Sequence, residues 1–165
     1  MIRPATPDDA DWVCGIWNDV ILRSTATFTT IPKTPVDIAE LIATRELFLV
    51  DPEAGFATFG PFRAGPGYAG VREHTIYFSE TAQGQGRGTA LLSALELQAR
   101  RIGIRALIGG LSGDNHRALR FHLANGYAKV AEMPAVGQKF GQQLDLVLVQ
   151  KNLQDSAQVD DAQSG

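Results

Sequence analysis

One cysteine, Cys14, stands in 165 residues, so no internal disulfide can hold this chain together. No apolar run is long enough to cross a bilayer. The start, Met1-Ile2-Arg3-Pro4-Ala5, passes into polar residues without the apolar core of a signal peptide. Positive charge is in short supply: 15 Lys and Arg against 18 Asp and Glu leave a net charge of −3. That balance gives no general attraction to nucleic acid or to an anionic membrane, and neither is expected as a partner. Three histidines, with neither cysteines nor paired carboxylates at ligand spacing, give no metal site. What remains is a cytoplasmic globular chain. Its 44% hydrophobic residues and its length suit one domain with a sizeable core.

Glycine, by contrast, is placed with purpose. Gln83-Gly84-Gln85-Gly86-Arg87-Gly88 follows the strand-like run Thr75-Ile76-Tyr77-Phe78 and opens a helical pattern from Thr89 to Ile102. A helix start leaves its first N–H groups without partners and carries partial positive charge, to which Arg87 adds a full one. Bare glycine backbone lets a ligand come close. Gln83, Gly84, Gln85, Gly86, Arg87, Gly88 and Thr89 together make a seat for a diphosphate. No Lys-Ser or Lys-Thr pair follows, which excludes a Walker P-loop. Gly-x-Gly-x-Gly, with Ser79 to Gln83 intervening, does not match a dinucleotide fingerprint.

Around this loop the pattern alternates strands and helices. Ile2 to Ala5 reads as a short strand. Thr6 caps a helix with Pro7 in its first turn, carrying Ala10, Val13, Cys14, Ile16, Trp17, Val20 and Ile21 at helical spacing. Ser24 to Pro35 is a Thr-rich loop with Phe28. Pro35 starts a second helix, through Ile38, Leu41 and Ile42. Leu47-Phe48-Leu49-Val50 and Gly55-Phe56-Ala57-Thr58-Phe59 pair as a hairpin, and Gly60 to Gly70 is a long loop. The strand Arg72 to Phe78 leads into the glycine loop. Leu91, Leu95, Ala99 and Ile102 form one stripe of the next helix, ended by Gly103. Ile104 to Ile108 is a parallel neighbour of Arg72 to Phe78, because a helix crosses between them. Asp114 caps a helix from Asn115 to Ala124. Tyr127 to Glu132 and Leu144 to Gln150 are the last strands. The domain runs from residue 1 to 153. The stretch from Gln154 to Gly165 is polar, lacks apolar periodicity and reads as a disordered tail.

Two motifs in order narrow the function. The spacing Gln83-x-x-Gly86-x-Gly88 resembles the pyrophosphate-binding motif of the GNAT N-acetyltransferases. Asn115 to Tyr127 matches the family's later segment, with His122 where a tyrosine is usual. Two helical turns place Asn115, Ala118 and His122 on one face. Three segments are similar to the phosphinothricin and methionine-sulfoximine acetyltransferases of that family. They are Glu73-His74-Thr75-Ile76-Tyr77-Phe78, the glycine loop, and Met133-Pro134-x-Val136-Gly137-x-Lys139-Phe140-Gly141 with Asp145. The resemblance spans Ile2 to Leu153. It implies a mixed α/β GNAT fold, a central mixed sheet with splayed parallel strands flanked by helices. It implies acetyl-CoA as co-substrate, no metal, the α-amino group of a small amino-acid analogue as acceptor, and a homodimer. Ala69-Gly70-Val71 is apolar where methionine-sulfone-type members are basic and polar, which implies an altered pocket.

The resemblance also assigns candidate roles. Glu73 is the general base or the seat of the substrate ammonium. Strand alternation puts it on one face with Thr75 and Tyr77. His122 is a proton donor to the departing thiolate. The backbone of Ile76, Tyr77 and Phe78 receives the pantetheine arm and the thioester, and Asn115 adds a hydrogen bond. Arg63 is positioned to fork onto a substrate carboxylate. Phe28, Gly67, Tyr68 and Lys139 complete the substrate contacts. Two rivals stay open: acetylation of another amine, such as a peptide N-terminus or a polyamine, and an acyl-CoA-binding module without turnover.

Overall fold

The structure is a computed structural model, and it describes residues 1–82 and 84–154. Gln83 and the expected tail from residue 155 onward lie outside the described residues. Eleven elements follow in chain order: β1 (Arg3–Pro4), α1 (Ala10–Arg23), α2 (Pro35–Thr44), β2 (Phe48–Asp51), β3 (Gly55–Pro61), β4 (Val71–Phe78), α3 (Arg87–Arg101), β5 (Ala106–Ser112), α4 (His116–Ala124), β6 (Ala128–Lys139) and β7 (Gln142–Asn152). Among the described residues no helix is long and apolar enough to cross a membrane.

The strands form one sheet in the order β1-β2-β3-β4-β5-β7-β6. Every neighbouring pair is antiparallel except β4 and β5, which the crossover helix α3 makes parallel. Apolar side chains cover both faces. On one, Leu91, Leu95 and Ala99 of α3 pack on Ala57, Leu107 and Val149. On the other, Val13, Trp17 and Ile21 of α1 and Ile38 of α2 pack on Phe48, Val50 and Phe56. Each Leu, Ile, Val or Phe so buried contributes about 1.5–3 kcal/mol relative to exposure.

Several boundaries differ from the sequence reading, for contact reasons. Pro7–Asp9 is a single 3-10 turn, and α1 begins at Ala10. The helix α4 is capped by Asn115, whose side-chain oxygen accepts from the N–H of Ala118 at 3.1 Å. Asp114 is engaged elsewhere, accepting from Ser112 Oγ at 2.6 Å and from Thr25 Oγ1 at 2.8 Å. Ile102 leaves the buried stripe: α3 stops at Arg101, and Gly103 turns the chain with φ +87°, so Ile102 is 51% exposed. The last two strands are longer than their apolar cores, and the hairpin between them is closed by Phe140 and Gly141 at positive φ.

One irregularity opens the molecule. The strands β4 and β5 are in register only from Val71↔Ala106 to His74↔Gly109. Beyond that point β4 continues to Phe78 and β5 to Ser112 without pairing with each other.

Candidate functional site

The divergence of β4 from β5 forms a cavity of about 700 Å3. Its floor is the half of β4 that pairs with β3 but not with β5, with Thr75, Ile76, Tyr77 and Phe78. At one end lie Gly84, Gln85, Gly86, Arg87, Gly88 and Thr89, where α3 begins. Glu73 and His122 stand where the strands part, Asn115 sits at the start of α4, and Phe28 closes the wall opposite. The structure therefore gathers most of the residues singled out by pattern into one space.

The glycine turn is shaped as the pattern implies. Gly86 is the N-cap of α3 with φ +69°, and no side chain caps the helix there. A Cβ on Gly84 or Gly86 would meet nothing within 4 Å, so bare backbone faces open space. Gly88 serves packing instead: a Cβ there would press on Phe78 and Phe121 at 3.0 and 3.3 Å. A diphosphate fits this cradle of uncapped amides at a helix start. Arg87 departs from expectation. Its guanidinium bonds Asp51 at 3.2 Å and pairs with Glu53 on the β2–β3 turn. Its charge is thus already neutralised, and the cradle draws on backbone amides and the helix dipole. Arg117, which the sequence reading did not single out, lines the cavity from the second position of α4.

Strand alternation holds for Glu73. It pairs across the sheet with Gly60, as Tyr77 pairs with Phe56, on the face that packs against α1. The bare backbone of Gly110 makes room for it, since a Cβ there would stand 3.1 Å from Glu73 Oε1. Burial raises the carboxyl pKa above the usual glutamate range, with no hydrogen bond or ion pair offsetting it among the described residues. Tyr77, partly buried on the same face, is pushed up to about 12 by desolvation, with Thr27 beside its hydroxyl.

His122 meets a partner that the sequence did not announce. Its Nε2 lies 2.9 Å from Nε2 of His74, and its Nδ1 lies 2.7 Å from the carbonyl oxygen of Ala118. A carbonyl only accepts, so the proton of neutral His122 sits on Nδ1. His122 Nε2 then accepts from His74 Nε2–H. This leaves His74 Nδ1 bare, and it is buried without a partner. Desolvation holds both rings neutral, taking His74 down to about 3 with help from His122 and lowering His122 as well. Both nitrogens of His122 are thus engaged inside the protein. A proton donor to a thiolate needs an N–H facing the cavity, which this arrangement does not present.

Four expected contacts lie away from the cavity lining. Arg63 lies over the Tyr68 ring at 5.8 Å, and Phe62 packs against the same ring, in the loop that also holds Gly67. Lys139 is buried, and its ammonium donates to the carbonyl oxygens of Ser24 at 2.6 Å and Thr27 at 2.8 Å. Asn115 does line the cavity, but its side-chain oxygen is used by the cap. Among the described residues no group of three or more His, Cys, Asp or Glu is arranged to hold a metal ion.

Known proteins share this fold. The Acetyltransferase (GNAT) family matches residues 24–127. The L-methionine sulfoximine/L-methionine sulfone acetyltransferase of Pseudomonas aeruginosa is 34% identical over 164 residues, covering 92% of this chain and 94% of that protein. The phosphinothricin N-acetyltransferase of Streptomyces viridochromogenes is 34% identical over 147 residues, covering 85% and 80%. A putative acetyltransferase of Salmonella typhimurium, solved with its cofactor acetyl-CoA, superposes with a TM-score of 0.90 at 31% identity, covering 94% of each chain.

Proposed function

The chain belongs to the GNAT acetyltransferase family, and from that premise we propose that it moves an acetyl group from acetyl-CoA to the α-amino group of a small amino-acid analogue. Phosphinothricin, methionine sulfoximine and methionine sulfone are the type. The observation that carries this reading is the cavity at the parting of β4 and β5, running from an uncapped helix start to a half-buried glutamate. The named activities of the relatives support the acceptor class.

Geometry supports the following roles. The amides of Gly84 to Thr89 hold the diphosphate. Backbone groups of Ile76 to Phe78, released from β5, face the pantetheine arm and the thioester carbonyl. One preorganised amide at that oxygen supplies about 3 kcal/mol. Acetyl-CoA supplies the acyl group as a thioester, and one C–S bond breaks as one C–N bond forms. Glu73 seats the substrate ammonium and takes its proton, so that a neutral amine attacks directly. A carboxylate with its pKa lifted by burial is a better acceptor for that proton than an exposed one. After attack the nitrogen sheds its second proton, which passes through water to the departing thiolate (thiol pKa about 8.5), because neutral His122 offers none. Phe28 walls the acceptor end.

We infer a homodimer from the same resemblance. Val130, Met133 and Val136 are exposed on β6, the edge strand, with Phe140 at its turn, an apolar edge that a second copy covers. Cys14, buried in α1, suits a reducing cytoplasm. The test of function is thiol release on mixing protein and acetyl-CoA with the three analogues, a peptide N-terminus and a polyamine. Release with the amino-acid analogues is expected. Release only with peptides or polyamines overturns the acceptor assignment. Acetyl-CoA binding without release from any amine overturns the enzyme reading. Sedimentation equilibrium tests the dimer, and a monomer at micromolar concentration overturns it.

A further inference from the structure

The segment Met133 to Asp145 carries the sharpest family likeness, yet apart from Phe28's contacts it stays outside the cavity. It reaches the site through the loop between α1 and α2. Gly137 pairs with Leu144 just past a β-bulge, and the Phe28 ring lies directly on it. A Cβ at position 137 would stand 2.5 Å from Phe28 Cδ2 and 2.8 Å from Cζ. Two residues on, the buried Lys139 ammonium binds the carbonyls of Ser24 and Thr27, on either side of Ala26. Thr25 is tied to Asp114 at the start of α4. Ala26, Thr27 and Phe28 line the cavity. Thr27 meets the hydroxyl of Tyr77, which shares its sheet face with Glu73. The loop is therefore held over the acceptor end of the cavity, on the face of Glu73, and pinned from behind by the β6–β7 hairpin.

We propose that Gly137 and Lys139 are positioning residues for acceptor specificity: through Phe28 and its loop they set how far the aromatic wall reaches into the cavity, and so the length of acceptor side chain that fits. This rests on the reading of the cavity as the seat of a small amino-acid acceptor. The absence of a side chain at 137 lets the ring lie back against the strand. Lys139 holds the loop backbone, so the ring cannot retreat with it.

The magnitude follows from the spacing. Carbon atoms rest 3.5–4.0 Å apart, so a methyl at 137 drives the ring about 1 Å toward the cavity. That is close to the length of one methylene, for which an apolar pocket discriminates about 10- to 200-fold. The experiment compares two acceptors that differ by one methylene, methionine sulfone and S-methylcysteine sulfone, in the full-length protein. In Gly137→Ala the kcat/KM ratio of longer to shorter acceptor is expected to fall at least tenfold, with acetyl-CoA affinity within twofold of the parent. In a Phe28→Leu background the same substitution is expected to change the ratio less than twofold, because no ring remains to be moved. An unchanged ratio in Gly137→Ala overturns the proposal, and so does an equal shift in both backgrounds. If Gly137→Ala alone does not fold, recovery of folding in Phe28→Leu/Gly137→Ala supports the contact, and failure of both variants overturns it. If the parent acetylates other amines and no amino acid, the acceptor reading fails by itself. The same cycle then decides the proposal with any two accepted amines one methylene apart. A protein that turns over no amine overturns both.

Discussion

Replacing Glu73 by Gln keeps the size of the side chain and removes its ability to take a proton. A positioned general base contributes about 10²–10⁴ in rate, or about 2.7–5.5 kcal/mol of barrier. Glu73 is half-buried at the parting of β4 and β5, so water can partly stand in, and the lower end applies. We expect kcat/KM at pH 7 to fall about 100-fold while acetyl-CoA binds as before. The pH profile separates a base from a mere anchor. With Glu73 present, ionised carboxylate and charged ammonium form the reactive pair, and activity falls on the acid side as the carboxyl protonates. Burial raises that pKa, so the acid limb lies above the usual glutamate range. Without it, only amine already neutral reacts, about 1–10% at pH 7 for a pKa of about 8–9. The variant's activity should then climb about tenfold per pH unit toward the amine pKa. Stability supplies the control. A carboxyl with a raised folded pKa contributes stability below its unfolded pKa and loses it as pH rises through the folded one. The variant should accordingly be at least as stable as the parent at pH 7, so lost activity is not lost fold. A raised KM with unchanged kcat would make Glu73 an anchor only. Activity within threefold of the parent, with the same pH optimum, would remove it from the site.

Gly86→Asp places a carboxylate in the proposed diphosphate seat, at a φ of +69° that Asp tolerates better than most residues. Calorimetric titration should show acetyl-CoA affinity down at least tenfold with melting little changed, and unchanged affinity refutes the cradle. His74 and His122 are held neutral, so their contribution is present above an unfolded pKa of about 6.5 and is lost as pH falls toward the folded values. His74→Phe should therefore flatten unfolding free energy against pH between 6 and 4 by close to one proton, about 1.4 kcal/mol per pH unit; urea titrations with parallel slopes would contradict this. Asp9 is held at about 2 by the two-pronged bond from Arg3, at 2.8 Å on each arm. Its contribution is present above the ordinary carboxyl value and is lost as pH falls through about 2. Asp9→Asn should cost about 1 kcal/mol or less at pH 7, Arg3 being half exposed, and the difference should vanish in strong acid.

What the sequence made legible is what chain-local physics decides. The alternate glycines before Thr89 announced a helix start open to an anion, because left-handed φ and missing side chains are properties of those residues alone. The parallel pairing of β4 with β5 followed from the helix between them, and the face of Glu73 followed from strand period. Helix ends were less secure, because caps compete. Asp114 and Asn115 are both good caps, and only Thr25, on a distant loop, shows why Asp114 is taken elsewhere. Ile102 fits the stripe by period, but backbone turning at Gly103 carries it into solvent.

Contacts between distant segments account for the rest, and they change chemistry rather than fold. Arg87 reads as charge for the diphosphate until the β2–β3 turn is seen to claim it with Asp51 and Glu53. His122 reads as an acid until His74, 48 positions earlier, is found at its Nε2. Nothing local marks that meeting, because the two lie on a strand and a helix brought together by the sheet. Lys139 reads as a substrate contact, yet it is buried and bound to a loop more than a hundred residues away. In each case residue type was informative about capability, and the partner decided use. A cation already paired, an imidazole with both nitrogens engaged and an ammonium saturated by carbonyls are unfree in the same sense. They hold the frame, and the side of the site that remains chemically open is Glu73 with the bare backbone of β4 and the glycine turn.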